Sequence, residues 1–248
     1  MLACALSLPG NTLGEAEEAL PHAARAHQEY AEAAARLAAT PANSVAAWEF
    51  ARACFDLAEF ATNGTQRAEI AEQGIAASRR LLAREPDSVA GNYYLAMNLG
   101  QLARTKLLGA LKLVGEMETL FLRVAELDPG FDEAGPHRSL GLLYRDAPGW
   151  PASVGSRKRA RFHLERAVEL RPDHPENRLV LVESLLKWGL EKEAREAVTV
   201  SAEALRRARA RLVGEEWTAE WRDWDRRWLA LLAALNVAPP PTSGGAAP

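Results

Sequence analysis

The chain has 248 residues, of which 48% are hydrophobic and 25% charged, and its formal net charge is −3. This is enough apolar material to bury a core, which excludes global disorder, and the balance of charge lacks the basic stripe that grips nucleic acid. Alanine, leucine, glutamate and arginine dominate while strand-like alternation is nearly absent, so the expected fold is all-α.

The chain opens on Met1-Leu2-Ala3-Cys4-Ala5-Leu6-Ser7-Leu8. This run has the look of a secretory-signal tail, with Ala3-x-Ala5 as a cleavage-like triplet, and of a worn lipobox that makes Cys4 a candidate lipidation site. It reads equally well as an apolar N-terminus packing on the first helix. Residues 1–14 are therefore set apart as a signal or lipoprotein remnant or a disordered start. Residues 15–237 are expected to form one helical domain, and 238–248 a disordered Pro/Gly/Ala tail. No segment reaches the length of a membrane-spanning helix. Two cysteines make no disulfide framework, and Cys54, beside Phe50 and Phe55, fits a small buried hydrophobe.

From Glu15 to Thr40 an alanine-rich helix is expected as a cap. Four helix pairs follow. The first runs from Trp48 through Phe55 to Gly74, Ser78, Leu81 and Pro86, and the second has Leu95, Ala96 and Leu99, then Met117, Phe121 and Val124. The third carries Leu140, Gly141 and Tyr144, then Ala160, Leu164, Ala167 and Pro172. The fourth has Leu181 and Val182, a turn at Trp188-Gly189, and Ala194 and Val198, with a degenerate end near Val198–Ser201. Helix-stopping prolines recur every 43 residues, at Pro86, Pro129 and Pro172, and each marks the end of a repeat because proline cannot continue a helix. Leu181 and Ala194, 13 residues apart, match the large-then-small pattern of the tetratricopeptide repeat. Gly141 and Ala160 are small because the helices of one hairpin approach closely there. The fold class is thus a tetratricopeptide-like α-α superhelix of four hairpins with capping helices at both ends.

Against the repeat pattern the first three hairpins carry about ten, nine and seven extra residues, all on one edge, where such insertions often build a binding surface. The second insertion, 101–114, reads as continued amphipathic helix. The third, Asp146-Ala147-Pro148-Gly149-Trp150-Pro151, must be a loop. If the first helix of each hairpin lines the inner face, the register places Glu49 and Asp56, then Tyr93, Met97 and Gln101, then Arg138, Leu142 and Arg145, then Glu183 and Lys187 along it. Together with Trp150 of the loop, Tyr93 through Lys187 make the candidate ligand- or partner-binding set. Arg138 and Arg145 would clamp a carboxylate, or Arg138 would pair with Asp132 or Glu133. Tyr93 and Met97 would supply an adaptable apolar floor. His137 is expected to satisfy a backbone group at its helix start.

No phosphate loop, HExxH, paired-cysteine metal site or serine elbow appears. Catalytic and metal sites, and cofactors, are therefore not expected. The last helix, from Glu215 to Val237, sets Trp217, Trp221, Trp224 and Trp228 on one stripe, which fits a cap over the final hairpin better than a membrane or cofactor face.

The Gly135-Pro136-His137-Arg138 run, the Ala147-Pro148-Gly149-Trp150-Pro151 loop and the following Arg157-x-x-Ala160-x-x-x-Leu164-x-x-Ala167 helix carry a family resemblance. Over roughly residues 85 to 200 the chain resembles the T component of TRAP-type (tripartite ATP-independent periplasmic) transporters. That resemblance implies a periplasmic, membrane-anchored helical lipoprotein that partners a solute-binding subunit and takes a hydrophobic ligand into a cleft, while a carboxylate ligand is the expectation from Arg138 and Arg145 alone. The alternative is an intracellular tetratricopeptide scaffold holding a peptide of a partner protein. Self-association is open under either reading.

Overall fold

In the computed structural model, which describes residues 12–106 and 109–238, the chain is a row of antiparallel helix pairs. Helix α1 (Thr12–Ala39) precedes four hairpins. These are α2 (Ser44–Glu59) with α3 (Gly64–Leu82), α4 (Val89–Ala103) with α5 (Ala110–Leu127), α6 (Phe131–Asp146) with α7 (Arg157–Leu170), and α8 (Pro175–Lys187) with α9 (Glu191–Arg211). A 3-10 turn (Glu215–Trp217) leads into α10 (Thr218–Ala234). From α1 to α9 each helix packs on its neighbours in sequence, and first helices also meet across hairpins, α2 on α4 and α6 on α8. The expected superhelix of four hairpins with two caps is the architecture found.

Local chemistry sets the boundaries. Helix starts leave backbone N–H groups without partners, and Asn43, Asn63, Ser88 and Ser156 accept from the N–H groups of Ala46, Gln66, Gly91 and Arg159. Each such cap stabilises by about 1 kcal/mol. Helix α8 opens on Pro175, whose missing N–H would have had no partner there anyway. Gly141 confirms its reading: a Cβ there would lie 2.4 Å from a Leu164 methyl and 3.3 Å from the Ala160 carbonyl, so α6 and α7 close only on hydrogen.

Three large cores run along the row, beside a small cluster of Leu142, Leu164 and Val180. At the N-terminal end Ala26 and Ala33 of α1 pack on Phe50, Cys54 and Leu57, and burial pushes the Cys54 thiol up to about 12. In the middle Tyr93, Leu99, Phe121, Leu140 and Tyr144 form the largest cluster. At the C-terminal end Trp221, Trp224 and Trp228 close over Leu179, Val182, Val198 and Leu205. The tryptophan stripe is the cap.

The structure corrects four expectations about the elements. The second insertion is not continuous helix: the chain leaves α4 at Ala103 and re-enters helix after Gly109, whose φ of 83° is left-handed. Glycine meets that geometry without strain, which is why the turn falls there. The enlargement of the first hairpin goes into its helices, since only 60–63 separate α2 from α3, whereas that of the third is the loop 147–156. The fourth hairpin does not end near Val198–Ser201. With no proline to stop it, α9 runs on to Arg211 and buries Ser201, Ala204 and Ala208. The last helix starts only at Thr218, after the 3-10 turn. Cys4 and the tail beyond residue 238 lie outside the described residues.

Candidate functional site

The first helices α2, α4, α6 and α8 form one face of the row. Helix α4 is the most enclosed, and between Gly91 and Gln101 only Met97 is not buried. The open stripe of this face is therefore narrower than the sequence register suggests, and on α4 between Gly91 and Gln101 it is reduced to Met97.

That narrowing decides where the candidate residues lie. Tyr93 is 1% exposed and sits inside the middle core, donating its hydroxyl to Asp132 Oδ2 at 2.6 Å. It is not a floor, because its ring is edge-on to Phe121 and Phe131. Gln101, 2% exposed, is also interior. It donates to Glu59 Oε1 at 2.6 Å and accepts from Arg67 at 2.7 Å, tying the ends of α2, α3 and α4 together. Leu142 is buried against Leu164 and Val180. Met97 is half-buried with its sulfur 3.9 Å from the Ser139 hydroxyl. Glu49 turns toward α1, where it pairs with Arg36 at 3.4 Å.

Both candidate arginines are already held. Arg145 forks onto its neighbour Asp146 at 2.9 and 2.8 Å and donates to Ser184 at 3.0 Å. Lys187 reaches the same carboxylate at 2.7 Å. Burial opposes ionisation of Asp146, but the hydrogen bonds from Arg145 and Lys187 outweigh it and hold the carboxyl below its usual range. Glu183 is taken by Arg227 of α10 at 2.7 and 3.0 Å. The same guanidinium reaches Glu176 at 2.7 Å, and Trp224 donates to that carboxylate at 3.0 Å. Burial works against the charge of Glu176, yet Arg227 keeps its carboxyl below the usual range. Trp150 stands apart from the whole set, 88% exposed at the tip of the 147–156 loop.

Arg138 belongs to the least ordinary geometry in the chain. Asp132, Glu133 and Ala134 have φ of 48°, 54° and 63°, a left-handed turn made of residues with side chains. Each costs about 1–2 kcal/mol over the right-handed form. Arg138 holds the turn by donating to the Asp132 carbonyl and Oδ2 at 3.3 Å, the Glu133 carbonyl at 3.2 Å and Asn177 Oδ1 at 2.9 Å. Asn177 in turn donates to the Glu133 carbonyl at 2.9 Å. Gly135 is required next: a Cβ there would come within 2.4 Å of the Tyr93 hydroxyl. Of the two readings of Arg138, the internal pair with Asp132 is the one formed.

His137 does not satisfy a backbone group. Its Nδ1 shares a hydrogen bond with His163 Nδ1 at 2.9 Å, both rings being buried between α6 and α7. Burial, with His137 and Arg159 adding to it, pushes His163 down to about 4. The 26-residue separation of the two histidines gave no helical spacing to signal the pair.

On the inner face of the N-terminal half three first helices each contribute an aromatic ring. Trp48 stacks on Tyr94 with centroids 6.0 Å apart, and Phe131 meets Tyr94 edge-on at 6.4 Å. Arg52 and Asp56 follow Trp48 at steps of four along α2 and pair loosely, at 3.6 Å. None of Trp48, Arg52, Tyr94 and Phe131 was in the candidate set. The step-of-four run 48-52-56 was the signal available for Trp48 and Arg52, and none marked Tyr94 or Phe131.

Among the described residues no group of three or more histidine, cysteine, aspartate or glutamate side chains is placed to hold a metal ion, and no helix is long and apolar enough to cross a membrane. The architecture is that of a helical-repeat protein of the tetratricopeptide type. It is similar to the crystal structure of a thermophilic tetratricopeptide-repeat protein from Thermus thermophilus, with 21% identity and a TM-score of 0.63, over 89% of this chain and 96% of that one. No family model matches the sequence, and no curated protein matches it.

Proposed function

We propose that the chain is a non-enzymatic binding scaffold of the bacterial cell envelope, accessory to TRAP-type solute uptake, which holds a solute-binding subunit against the face of its first helices. A tetratricopeptide-like row of hairpins suits protein binding, since neighbouring repeats present one continuous surface. The observation that favours the transporter role is the position of the resembling segment. Gly135-Pro136-His137-Arg138 directly follows the left-handed turn at Asp132–Ala134, which Arg138 clamps, and backbone held in such a conformation clusters at functional sites. Arg138 and Arg145 are committed to internal partners, so a protein contact is preferred over a small carboxylate ligand. Cys4 would supply the membrane anchor and a periplasmic address.

Affinity purification from the native host tests this reading. A solute-binding subunit is expected among the captured proteins, and the mature protein should carry a processed or lipidated N-terminus by mass. Capture of cytosolic proteins alone, with an unprocessed Met1, would replace it with an intracellular scaffold.

A further inference from the structure

The formal net charge of −3 conceals how the cations are distributed. Among 30 lysines and arginines the lysines are Lys106, Lys112, Lys158, Lys187 and Lys192. Every one falls where the first helix of a hairpin gives way to the second. Lys106 follows α4, Lys112 is in the first turn of α5, Lys158 in the first turn of α7, Lys187 ends α8 and Lys192 is the second residue of α9. All are exposed. The linkers between hairpins, on the opposite edge, carry Glu85, Asp87, Asp128 and Asp173 with Arg84 and Arg171, and no lysine.

Direct contacts tie the hairpin turns into one edge. Arg104, after α4, reaches Glu59 at the end of α2 at 3.0 Å. Arg159 at the start of α7 reaches Glu118 of α5 at 2.7 Å. Lys187 reaches Asp146 at 2.7 Å, and the Arg157 guanidinium lies 5.4 Å from the centre of the Trp188 ring. The acids of this edge are mostly matched from within: Arg104 holds Glu59, Arg145 and Lys187 hold Asp146, and Arg161 holds Glu193 at 2.7 Å. Glu191 is the exposed carboxylate that remains, beside Lys192. Of the lysines only Lys187 is in an ion pair among the described residues.

The same edge presents apolar side chains to solvent: Phe60, Leu111 and, above all, Trp150. Trp150 does not hang on a slack loop. The Gly155 N–H donates to the Pro148 carbonyl at 2.8 Å and the Ser156 N–H to the Tyr144 carbonyl at 2.9 Å, while Val154 packs on the middle core. Gly155 is required for this closure, because a Cβ there would lie 2.1 Å from the Ala147 carbonyl. The base of the loop is thus fixed and its tip, Pro148 to Pro151, stands out exposed.

We propose that the hairpin-turn edge docks on an anionic lipid bilayer, with Trp150 entering the headgroup layer and Lys106, Lys112, Lys158 and Lys192 lying against lipid phosphates. Tryptophan favours the membrane–water interface, and basic side chains around an apolar insert are drawn to anionic lipid. Lysine is a hydrated point charge that suits mobile phosphates, whereas fixed carboxylates of a protein partner favour the arginine fork. A nucleic acid would give the protruding Leu111 and Phe60 no apolar layer to enter. This inference goes beyond the partner-binding reading: it uses the ends of the helices, not their inner face, and holds whether or not a solute-binding subunit is captured.

The test is co-sedimentation of the full chain with vesicles of phosphatidylglycerol and phosphatidylcholine in equal parts, against vesicles of phosphatidylcholine alone. Binding is expected to the anionic vesicles and to fade toward about 1 M salt, where screening is complete within about 3 Å. Lys158→Gln should weaken it about fivefold, the value of one lysine near such a surface, and joint replacement of Lys106, Lys112, Lys158 and Lys192 by Gln at least about a hundredfold. Trp150→Ala should weaken it about tenfold, while Val45→Ala, an exposed apolar site at the opposite edge, should leave it unchanged. All these sites are exposed, and an unchanged circular-dichroism melt confirms that each variant folds. Equal binding to both vesicles, parental binding by the four-lysine variant, or equal losses in Trp150→Ala and Val45→Ala would overturn the proposal. Lysine-dependent binding to polyglutamate without binding to vesicles would also overturn it, and would assign the edge to an acidic polypeptide.

Discussion

At the scale of single residues the inner face is governed by charge pairs that leave few groups idle. Arg138 is the clearest case, its side chain only 13% exposed and spread over Asp132, Glu133 and Asn177. Removing one member of such a buried set strands the others, so Arg138→Ala should lower stability by about 3 kcal/mol or more; an unchanged urea midpoint would contradict this. The left-handed turn predicts the opposite sign. Glu133 is exposed with φ 54°, and asparagine tolerates that region, so Glu133→Asn should stabilise by about 0.5–1 kcal/mol. A lower melting temperature would show that the turn is not strained. Histidine gives a pH dependence. In the fold His163 and His174 are pushed down to about 4 by burial, from 6.5. Between these values the unfolded chain binds the extra proton, so stability is full above pH 6.5 and falls as pH drops toward 4. His163→Asn should flatten that slope above pH 4.5, where the depressed carboxylates have yet to titrate; an identical slope would sink the assignment.

At the scale of elements, punctuation was legible and orientation was only partly so. Pro86, Pro129 and Pro172 mark three helix ends, and Gly141 marks a hairpin contact, because each acts through its own backbone. The inner register was not legible on α4, where Tyr93 and Tyr94 are adjacent aromatics and the choice of face depends on Asp132 and Phe131, which lie far along the chain on α6. The pairing of His137 with His163 and the node at Gln101 are likewise tertiary facts with no local pattern. The tryptophan stripe was legible because its period is helical. It predicts that Trp224→Ala costs about 3–5 kcal/mol, the usual loss for a large buried aromatic, with faster amide exchange concentrated in α8 and α9. Exchange rising equally in α2 and α3 would contradict a local cap.

At the scale of the whole molecule the row is asymmetric. Its C-terminal half closes its own inner face, with Arg227 of α10 spanning Glu176 and Glu183 and with Lys187 tied to Asp146. The N-terminal half leaves Arg52 exposed and Tyr94 without a hydrogen bond among the described residues. A partner therefore belongs on the first-helix face near α2 and α4, away from the outer surface where Phe162 of α7 stands exposed. The most direct measurement is photocrosslinking in the native host from a benzoylphenylalanine placed at Arg52 and, separately, at Phe162. The account predicts adducts to a solute-binding subunit from position 52 and none from position 162. Adducts from position 162 alone, or only cytosolic proteins from position 52, would contradict it.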